Sequence, residues 1–138
     1  MKTNLRFRVA CVAAVLALGS LTGCVAVVVG LAAGAGTVAY VRGELETTLS
    51  AGYERSVEAV NLAAQQLQFA QVSERRDALQ DTITLRTAGD RKVVIRVNKI
   101  ADYNTKVRIR VGIFGDEALS LTILEKIRAN LSSPGQPG

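Results

Sequence analysis

Thr105-Lys-Val-Arg-Ile-Arg-Val-Gly112 decides the fold, because apolar and basic side chains alternate along it without a break. Successive side chains of a strand point to opposite faces of a sheet, so the apolar set would face a core and the basic set would face water. The apolar set is Val107, Ile109 and Val111, and the basic set is Lys106, Arg108 and Arg110. This pattern is typical of an antiparallel sheet that is wet on one face, and it predicts helices on the other face only.

Two more alternating segments precede this strand. Residues from Asp81 to Thr87 and from Lys92 to Asn98 alternate apolar with more polar side chains. Ala88-Gly89-Asp90 supplies a turn between them, and Asp102-Tyr-Asn104 supplies the next turn. We therefore expect three consecutive strands that pair mainly as antiparallel neighbours.

A first strand and a first helix are predicted upstream of these three strands. Thr37 to Leu49 has the composition of one half-buried strand, in which Gly43 marks a bulge or a close approach of two backbones. Ala39 and Val41 would share its buried face with Leu45. Ser50 can cap a helix that continues to about Val72 and carries an apolar stripe at spacings of three and four. That stripe consists of Tyr53, Val57, Val60, Ala64 and Leu67.

A second helix is predicted after Asp116, which can cap it, and this helix continues to Leu131. The order β-α-β-β-β-α then defines the α+β class: a small two-layer sandwich, with a mainly antiparallel four-stranded sheet and two helices on one face. Residues 37–131 would form a single domain. The polar tail 132–138 is predicted to be disordered.

The N-terminus has the form of a secretory signal. Its first eight residues include three basic and no acidic side chains, and residues 9–21 are almost entirely apolar. Leu21-Thr-Gly-Cys24 resembles a bacterial lipobox, which implies a signal peptide over 1–23, cleavage between Gly23 and Cys24, and lipidation of Cys24. Cleavage removes three of the seventeen basic residues and none of the twelve acidic ones, so the net charge falls from +5 to +2.

The segment after Cys24 leaves two kinds of anchor open. Residues 25–41 are apolar or glycine apart from Thr37, and together with the leader they are long enough to span a membrane. Gly30 and Gly34 have the small-xxx-small spacing that lets two membrane helices approach closely. One hypothesis is a lipidated linker over 24–36, and the alternative is an uncleaved anchor through which the protein forms oligomers.

Two segments resemble a known family. Tyr40-Val-Arg-Gly-Glu-Leu-Glu46 and Thr105-Lys-Val-Arg-Ile-Arg-Val-Gly-Ile-Phe-Gly-Asp116 are similar to a bacterial lipoprotein family catalogued only as a domain of unknown function. The resemblance covers nearly the whole chain, and it implies a small exported lipoprotein of Gram-negative bacteria with no known catalytic residues. Val25 stands where enteric bacteria use Asp to retain lipoproteins in the inner membrane, which favours the outer membrane, facing the periplasm.

The residue types argue against an enzyme. The sequence contains no histidine, and its cysteines are Cys24 and one that leaves with the leader. The commonest general base, the commonest metal ligand and the thiol nucleophile are therefore missing from the mature chain. Glu44 and Glu46 would share one sheet face and serve solubility, while Asp116 and Ser120 would cap a helix. We expect no catalytic residues, no metal and no cofactor.

The predicted sheet places six basic side chains on the face opposite the helices: Arg86, Lys92, Arg96, Lys106, Arg108 and Arg110. Such a face could meet an anionic lipid, a glycan or an acidic envelope protein, or it could simply keep the sheet soluble. Nucleic acid is not expected as a partner, because an exported protein does not meet it and no aromatic side chains interleave with these cations. The sequence therefore predicts a lipid-anchored, non-enzymatic structural or binding protein of the envelope, whose oligomeric state stays open.

Overall fold

The computed structural model describes residues 37–133, which form two helices on one face of a six-stranded antiparallel sheet. The class is α+β, as predicted. The strands follow the order β1-β2-β6-β5-β4-β3 across the sheet. The elements are β1 (Val38–Val41), β2 (Glu44–Leu49), α1 (Tyr53–Gln66), β3 (Ala70–Arg76), β4 (Gln80–Arg86), β5 (Lys92–Ala101), β6 (Asn104–Val111) and α2 (Glu117–Ser132).

The predicted count of four strands is wrong, and the first reason lies at Arg42 and Gly43. Both residues have positive φ, 53° and 78°, which is the requirement of a two-residue type I′ hairpin turn. The segment from Thr37 to Leu49 is therefore a hairpin of β1 and β2 rather than one strand. Because the turn resets the alternation, Val38 faces the core and Val41 is exposed, the reverse of the predicted phase.

The second reason is that α1 ends at Gln66, six residues before the predicted end near Val72. Gln68 adopts the left-handed conformation with φ 57°, and the amide of Phe69 donates to the carbonyl of Ala64. This is the Schellman arrangement that terminates a helix. The chain then forms β3, an edge strand whose seven residues are all exposed.

The start of α1 also differs from the prediction. Gly52 occupies the N-cap position and provides no side-chain cap, so Ser50 is not the cap. The reason lies in the connection from β2, where Thr105 Oγ1 donates to the carbonyl of Ala51 at 2.9 Å and ties this segment to β6. The helix therefore begins three residues beyond Ser50.

The three later strands and the core follow the predicted pattern. Apolar side chains of β4, β5 and β6 alternate into the core, and both predicted turns between these strands are present. The two helices pack against each other and contact β2, β5 and β6. The core-facing strand residues are Ile83, Leu85, Val93, Ile95, Val97, Val107, Ile109 and Val111.

Candidate functional site

The sheet face that points away from the helices carries all six predicted cations. Arg86 lies opposite Lys92 in the register, and Arg96 lies opposite Arg108. Lys106 and Arg110 flank Arg108 at two-residue spacing on β6, so they share its face. We call this set the cationic face: Arg86, Lys92, Arg96, Lys106, Arg108 and Arg110.

Two carboxylates of β2 neutralise the centre of the cationic face. The Oε1 of Glu44 accepts a hydrogen bond from Arg96 Nη1 at 3.0 Å. The two oxygens of Glu46 meet Lys106 Nζ at 2.7 Å and Arg108 Nε at 3.0 Å. Three of the six cations therefore have an acidic partner on the same face, which the four-stranded prediction did not anticipate.

Glu46 is held in its ionised form by these partners. The hydrogen bond from Lys106 is the main cause that lowers the pKa of Glu46 below the usual 4.5. Burial opposes it, and the charges of Lys106 and Arg108 add to the lowering. A carboxylate that stays charged at neutral pH is a poor general acid. Its geometry supports a role in ion pairing and solubility.

The other three cations lie toward the end of the sheet where β4 meets β5 and where β6 leads into α2. Arg86 pairs with Asp90, four residues along the chain. Arg110 donates from Nη2 to the carbonyl of Ile113 at 2.8 Å and has no carboxylate partner among residues 37–133. Within the described part of the chain, Lys92 has no ion-pair partner either. Unbalanced positive charge is thus concentrated at this end.

The connection between β6 and α2, residues 112–115, stands beside these cations, and we call it the apolar loop. Gly112 and Gly115 have φ of 69° and 87°, in the left-handed region that suits glycine. The β1–β2 turn packs against this loop so tightly that a Cβ placed on Gly43 would collide with the carbonyl oxygen of Phe114. The two segments that carried the family resemblance therefore touch each other here, and Gly43 marks a close backbone approach, one of the two alternatives predicted for it.

An open cleft of about 640 Å³ separates the apolar loop from the β4–β5 turn. Arg91, Lys92 and Arg110 line it together with Ile113 and Phe114. The two apolar side chains are 80% and 91% exposed. The cleft thus combines cations with exposed apolar surface, a pairing that can contact a ligand with both an acidic and an apolar part.

Asp116 is the N-cap of α2, as predicted, whereas Ser120 lies inside this helix and does not cap it. Asp116 Oδ1 accepts from the amide of Leu119 at 2.9 Å, and Oδ2 pairs with Arg91 Nη2 at 2.7 Å. The hydrogen bond from Leu119, followed by that from Arg91, lowers the pKa of Asp116. The hydroxyl of buried Ser120 donates to the carbonyl of Asp116 at 2.6 Å. The hydroxyl proton of Ser120 is therefore held by a backbone carbonyl rather than by a side-chain base.

Asp81 is a buried polar residue that the sequence pattern did not single out. Its side chain is fully buried; Oδ2 accepts from Arg76 Nε at 3.1 Å, while Oδ1 has no hydrogen-bond partner in the described part of the chain. Burial is the main cause that raises its pKa, and the nearby carboxylate of Glu74 adds to the effect against the opposing charge of Arg76. An acidic residue at a core-facing strand position is the signal that could have found it.

A second open cleft, of about 810 Å³, lies at the opposite end of the sheet. Tyr53, Lys99, Asp102 and Tyr103 are among its lining residues. No group of three or more acidic, cysteine or histidine side chains is placed to hold a metal ion anywhere in residues 37–133. This cleft therefore presents mixed polar and aromatic groups without a recognisable chemical centre.

The predicted anchor residues Gly23 and Cys24, the signal peptide 1–23 and the linker 24–36 lie outside the described residues, as does most of the predicted tail. Gly30 and Gly34, the basis of the alternative anchor, also fall there. Within 37–133, neither helix has the length and apolar character needed to cross a membrane.

The fold and the site together define a class: a small α+β sandwich with a charged, open sheet face. A protein-family model described as "Protein of unknown function (DUF3568)" matches residues 7–130. The chain therefore belongs to this family, which agrees with the resemblance to a family without an assigned activity. A search of curated proteins finds no relative that matches the chain.

Proposed function

We propose that this protein is a lipid-anchored component of the bacterial cell envelope whose folded part binds a partner rather than catalysing a reaction. The stretch Leu21-Thr-Gly-Cys24 carries the proposal, because a small residue before a cysteine at the end of an apolar leader is the pattern of a lipoprotein signal. Val25 after the cysteine favours the outer membrane, with the domain in the periplasm.

The chemistry of the described residues supports binding over catalysis. The carboxylates on the cationic face, Glu44 and Glu46, are engaged by Arg96, Lys106 and Arg108. Ser120 is buried near the start of α2, where its hydroxyl donates to the carbonyl of Asp116. The carboxylates and the serine hydroxyl thus make contacts within the fold. Lys92 and Arg110, which have no carboxylate partner among residues 37–133, are available to an anionic lipid, glycan or protein.

The intact mass of the protein extracted from membranes tests the anchor. We expect a chain that begins at Cys24 and carries acyl groups, and we expect both features to be lost in a Cys24→Ala variant. Multiple acyl chains hold a protein on a membrane far more firmly than one, since each buried methylene contributes about 0.8 kcal/mol.

An unmodified, full-length mass would contradict lipid anchoring and support the retained membrane helix instead. In that case Gly30→Ile and Gly34→Ile should abolish self-association, because close helix packing needs small residues at those positions.

Charge removal tests the cationic face. Replacing Lys106, Arg108 and Arg110 by Gln should weaken binding to anionic envelope components such as phosphatidylglycerol vesicles. Lys126→Gln is a control, because Lys126 is exposed on α2, on the helix side of the molecule. Equal binding by the triple variant and the unmodified chain would show that the cationic face serves solubility alone.

A further inference from the structure

We propose that the apolar loop is a membrane-docking element, which places Ile113 and Phe114 in the headgroup region of an anionic lipid surface. The proposal rests on the proposed function for one point only, that a bilayer lies within reach of the domain. It adds which part of the molecule touches that bilayer.

Both side chains of the proposed docking element are highly exposed. Phe114 is 91% exposed and Ile113 is 80% exposed, at adjacent positions of one loop. Single exposed apolar residues are ordinary, but a Phe beside an Ile at the tip of a connection creates a contiguous apolar patch. An aromatic and an aliphatic side chain at a loop tip are suited to the boundary between lipid headgroups and acyl chains.

Contacts with the rest of the protein hold the apolar loop in the conformation that exposes these side chains. The carbonyl of Ile113 accepts from Arg110, and the carbonyl of Phe114 packs against Gly43 of the β1–β2 turn. The left-handed conformations of Gly112 and Gly115 turn the chain on either side of the pair. With the backbone fixed on the protein side, Ile113 and Phe114 extend outward without further ordering, so docking costs little conformational entropy.

The surroundings of the loop tip carry an excess of positive charge. Lys92 and Arg110 flank the loop without a carboxylate partner among residues 37–133, and Arg42 is exposed in the turn that packs against it. Of the acids nearby, Asp90 pairs with Arg86 and Asp116 pairs with Arg91, whereas Glu117 at the start of α2 has no ion pair among residues 37–133. The cations near the tip still outnumber these acids, so an apolar tip at this place complements an anionic bilayer surface better than a neutral one.

The length of chain before the domain permits this contact. About thirteen residues separate the cleavage position from Thr37, and a chain of that length spans at most ~45 Å. β1 then runs toward the turn that touches the apolar loop, and its four residues cover about 13 Å. A domain tethered at Cys24 can therefore bring the loop to the membrane that holds the tether.

A single tryptophan reports the docking directly, because the chain has none of its own. The full chain carrying Phe114→Trp is reconstituted in vesicles of equal parts phosphatidylcholine and phosphatidylglycerol, some with brominated acyl chains. We expect Trp emission to shift to shorter wavelength and to be quenched by bromine, as for a ring buried about 5–10 Å at the headgroup boundary. Phe114 is so exposed that the larger ring should fit without disturbing the fold, which circular dichroism checks.

Tyr103→Trp is the matched control. Tyr103 is also 80% exposed in a turn between strands, but it lies at the opposite end of the sheet. Its emission should remain that of a ring in water.

Arg42→Gln with Lys92→Gln should reduce the quenching of Trp at 114, since neither side chain holds the loop, and vesicles of phosphatidylcholine alone should reduce it as well.

Water-like, unquenched emission from Trp at 114 in the anionic vesicles would overturn the proposal. So would burial of this ring only after a soluble envelope protein is added, which would identify a protein as the occupant. The anchor is read separately by intact mass and by flotation of the chain with the vesicles. If the chain is acylated and floats but its Trp emission is water-like, lipid anchoring is supported and docking of the apolar loop is contradicted. If an unacylated chain shows quenching, docking of the loop is supported and lipid anchoring is contradicted.

Discussion

Gly43 and Gly115 show how single residues join distant parts of the sequence. A Cβ on either glycine would collide with the backbone of the facing segment, and on Gly115 it would also meet the hydroxyl of Tyr40. The contact fastens the β1–β2 turn to the apolar loop. Both residues also have positive φ, so a side chain there would be strained as well as crowded.

Gly43→Ala should therefore destabilise the protein more than Gly112→Ala. Gly112 has a similar φ but open space around its Cβ position, so its substitution should cost only the left-handed strain of about 1–2 kcal/mol. Gly43→Ala adds displacement of the Phe114 carbonyl, and we expect more than about 3 kcal/mol. Chemical denaturation of the two variants measures the difference, and equal free energies of unfolding would show that the contact is dispensable.

Asp81 makes stability depend on pH in an unusual direction. Its pKa is raised in the folded protein, mainly by burial, so folding favours its protonated form. The stability contributed by this group is fully present below the usual value of 3.8 and is lost as the pH rises through the raised pKa. Ordinary paired carboxylates such as Glu46 behave in the opposite sense.

The stability of the Asp81→Asn variant should therefore increase relative to that of the unmodified chain as the pH rises from about 4 to 7. Arg76 is not stranded by the change, because Glu54 and Glu74 lie 3.4 and 3.6 Å from its guanidinium nitrogens. The measurement is the free energy of unfolding of both proteins across this range. Parallel curves would show that Asp81 titrates alike in the folded and unfolded states.

The C-terminus of α1 carries none of the residues that usually mark the end of a helix. Helices commonly stop at a glycine in the left-handed conformation, but here Gln68 takes that position with φ 57°. The predicted helix overran this point because Gln is a good helix former and no Gly or Pro interrupts the chain.

Gln68→Gly should stabilise the protein by about 0.5–1 kcal/mol, because glycine adopts the left-handed conformation without strain. Gln65→Gly is the control, since Gln65 is an exposed residue inside α1, where glycine costs about 1 kcal/mol relative to alanine. The melting temperature should thus rise in Gln68→Gly and fall in Gln65→Gly. A loss of stability in Gln68→Gly would mean that the Gln side chain itself contributes to the cap.

The same comparison explains which elements could be predicted. The inner faces of β4, β5 and β6 are buried in the core, so burial imposes a strict alternation such as that of Val107 and Ile109. β3 lies at the edge and has no buried residue, so nothing forces a pattern on it. The β1–β2 turn was missed because Arg42, a residue that rarely adopts positive φ, occupies its first position.

Some features of the candidate site could be predicted from the local sequence, whereas others depend on contacts between distant segments. Alternation alone placed Arg108 and its neighbours on one face. The partners Glu44 and Glu46 could be placed beside them only once β2 was known to pair with β6, across about sixty residues of sequence. The meeting of Gly43 with the apolar loop depends on that same pairing, which leaves no local signature.

The charge balance of the whole molecule is set by this strand pairing. The sheet places Glu44 and Glu46 among the cations, and their ion pairs involve side chains that are 22–39% exposed. Such pairs contribute little to stability, typically below about 1 kcal/mol each, and salt weakens them. Their larger effect is on the field that the cationic face presents to a partner.

Glu44→Gln with Glu46→Gln should therefore strengthen binding to anionic vesicles while leaving the free energy of unfolding within about 1–2 kcal/mol of the unmodified value. The amide keeps the size of each side chain but frees Arg96, Lys106 and Arg108 for the partner. The pKa of Glu46 is lowered, so its carboxylate is ionised and its ion pairs are fully formed when the pH is above the usual value of 4.5. These ion pairs are lost as the pH falls through the lowered pKa. The unmodified chain should then approach the binding of the variant only in acid. Vesicle binding of both proteins at neutral and acid pH measures this, and weaker binding by the variant at neutral pH would show that the two carboxylates help to form the binding surface.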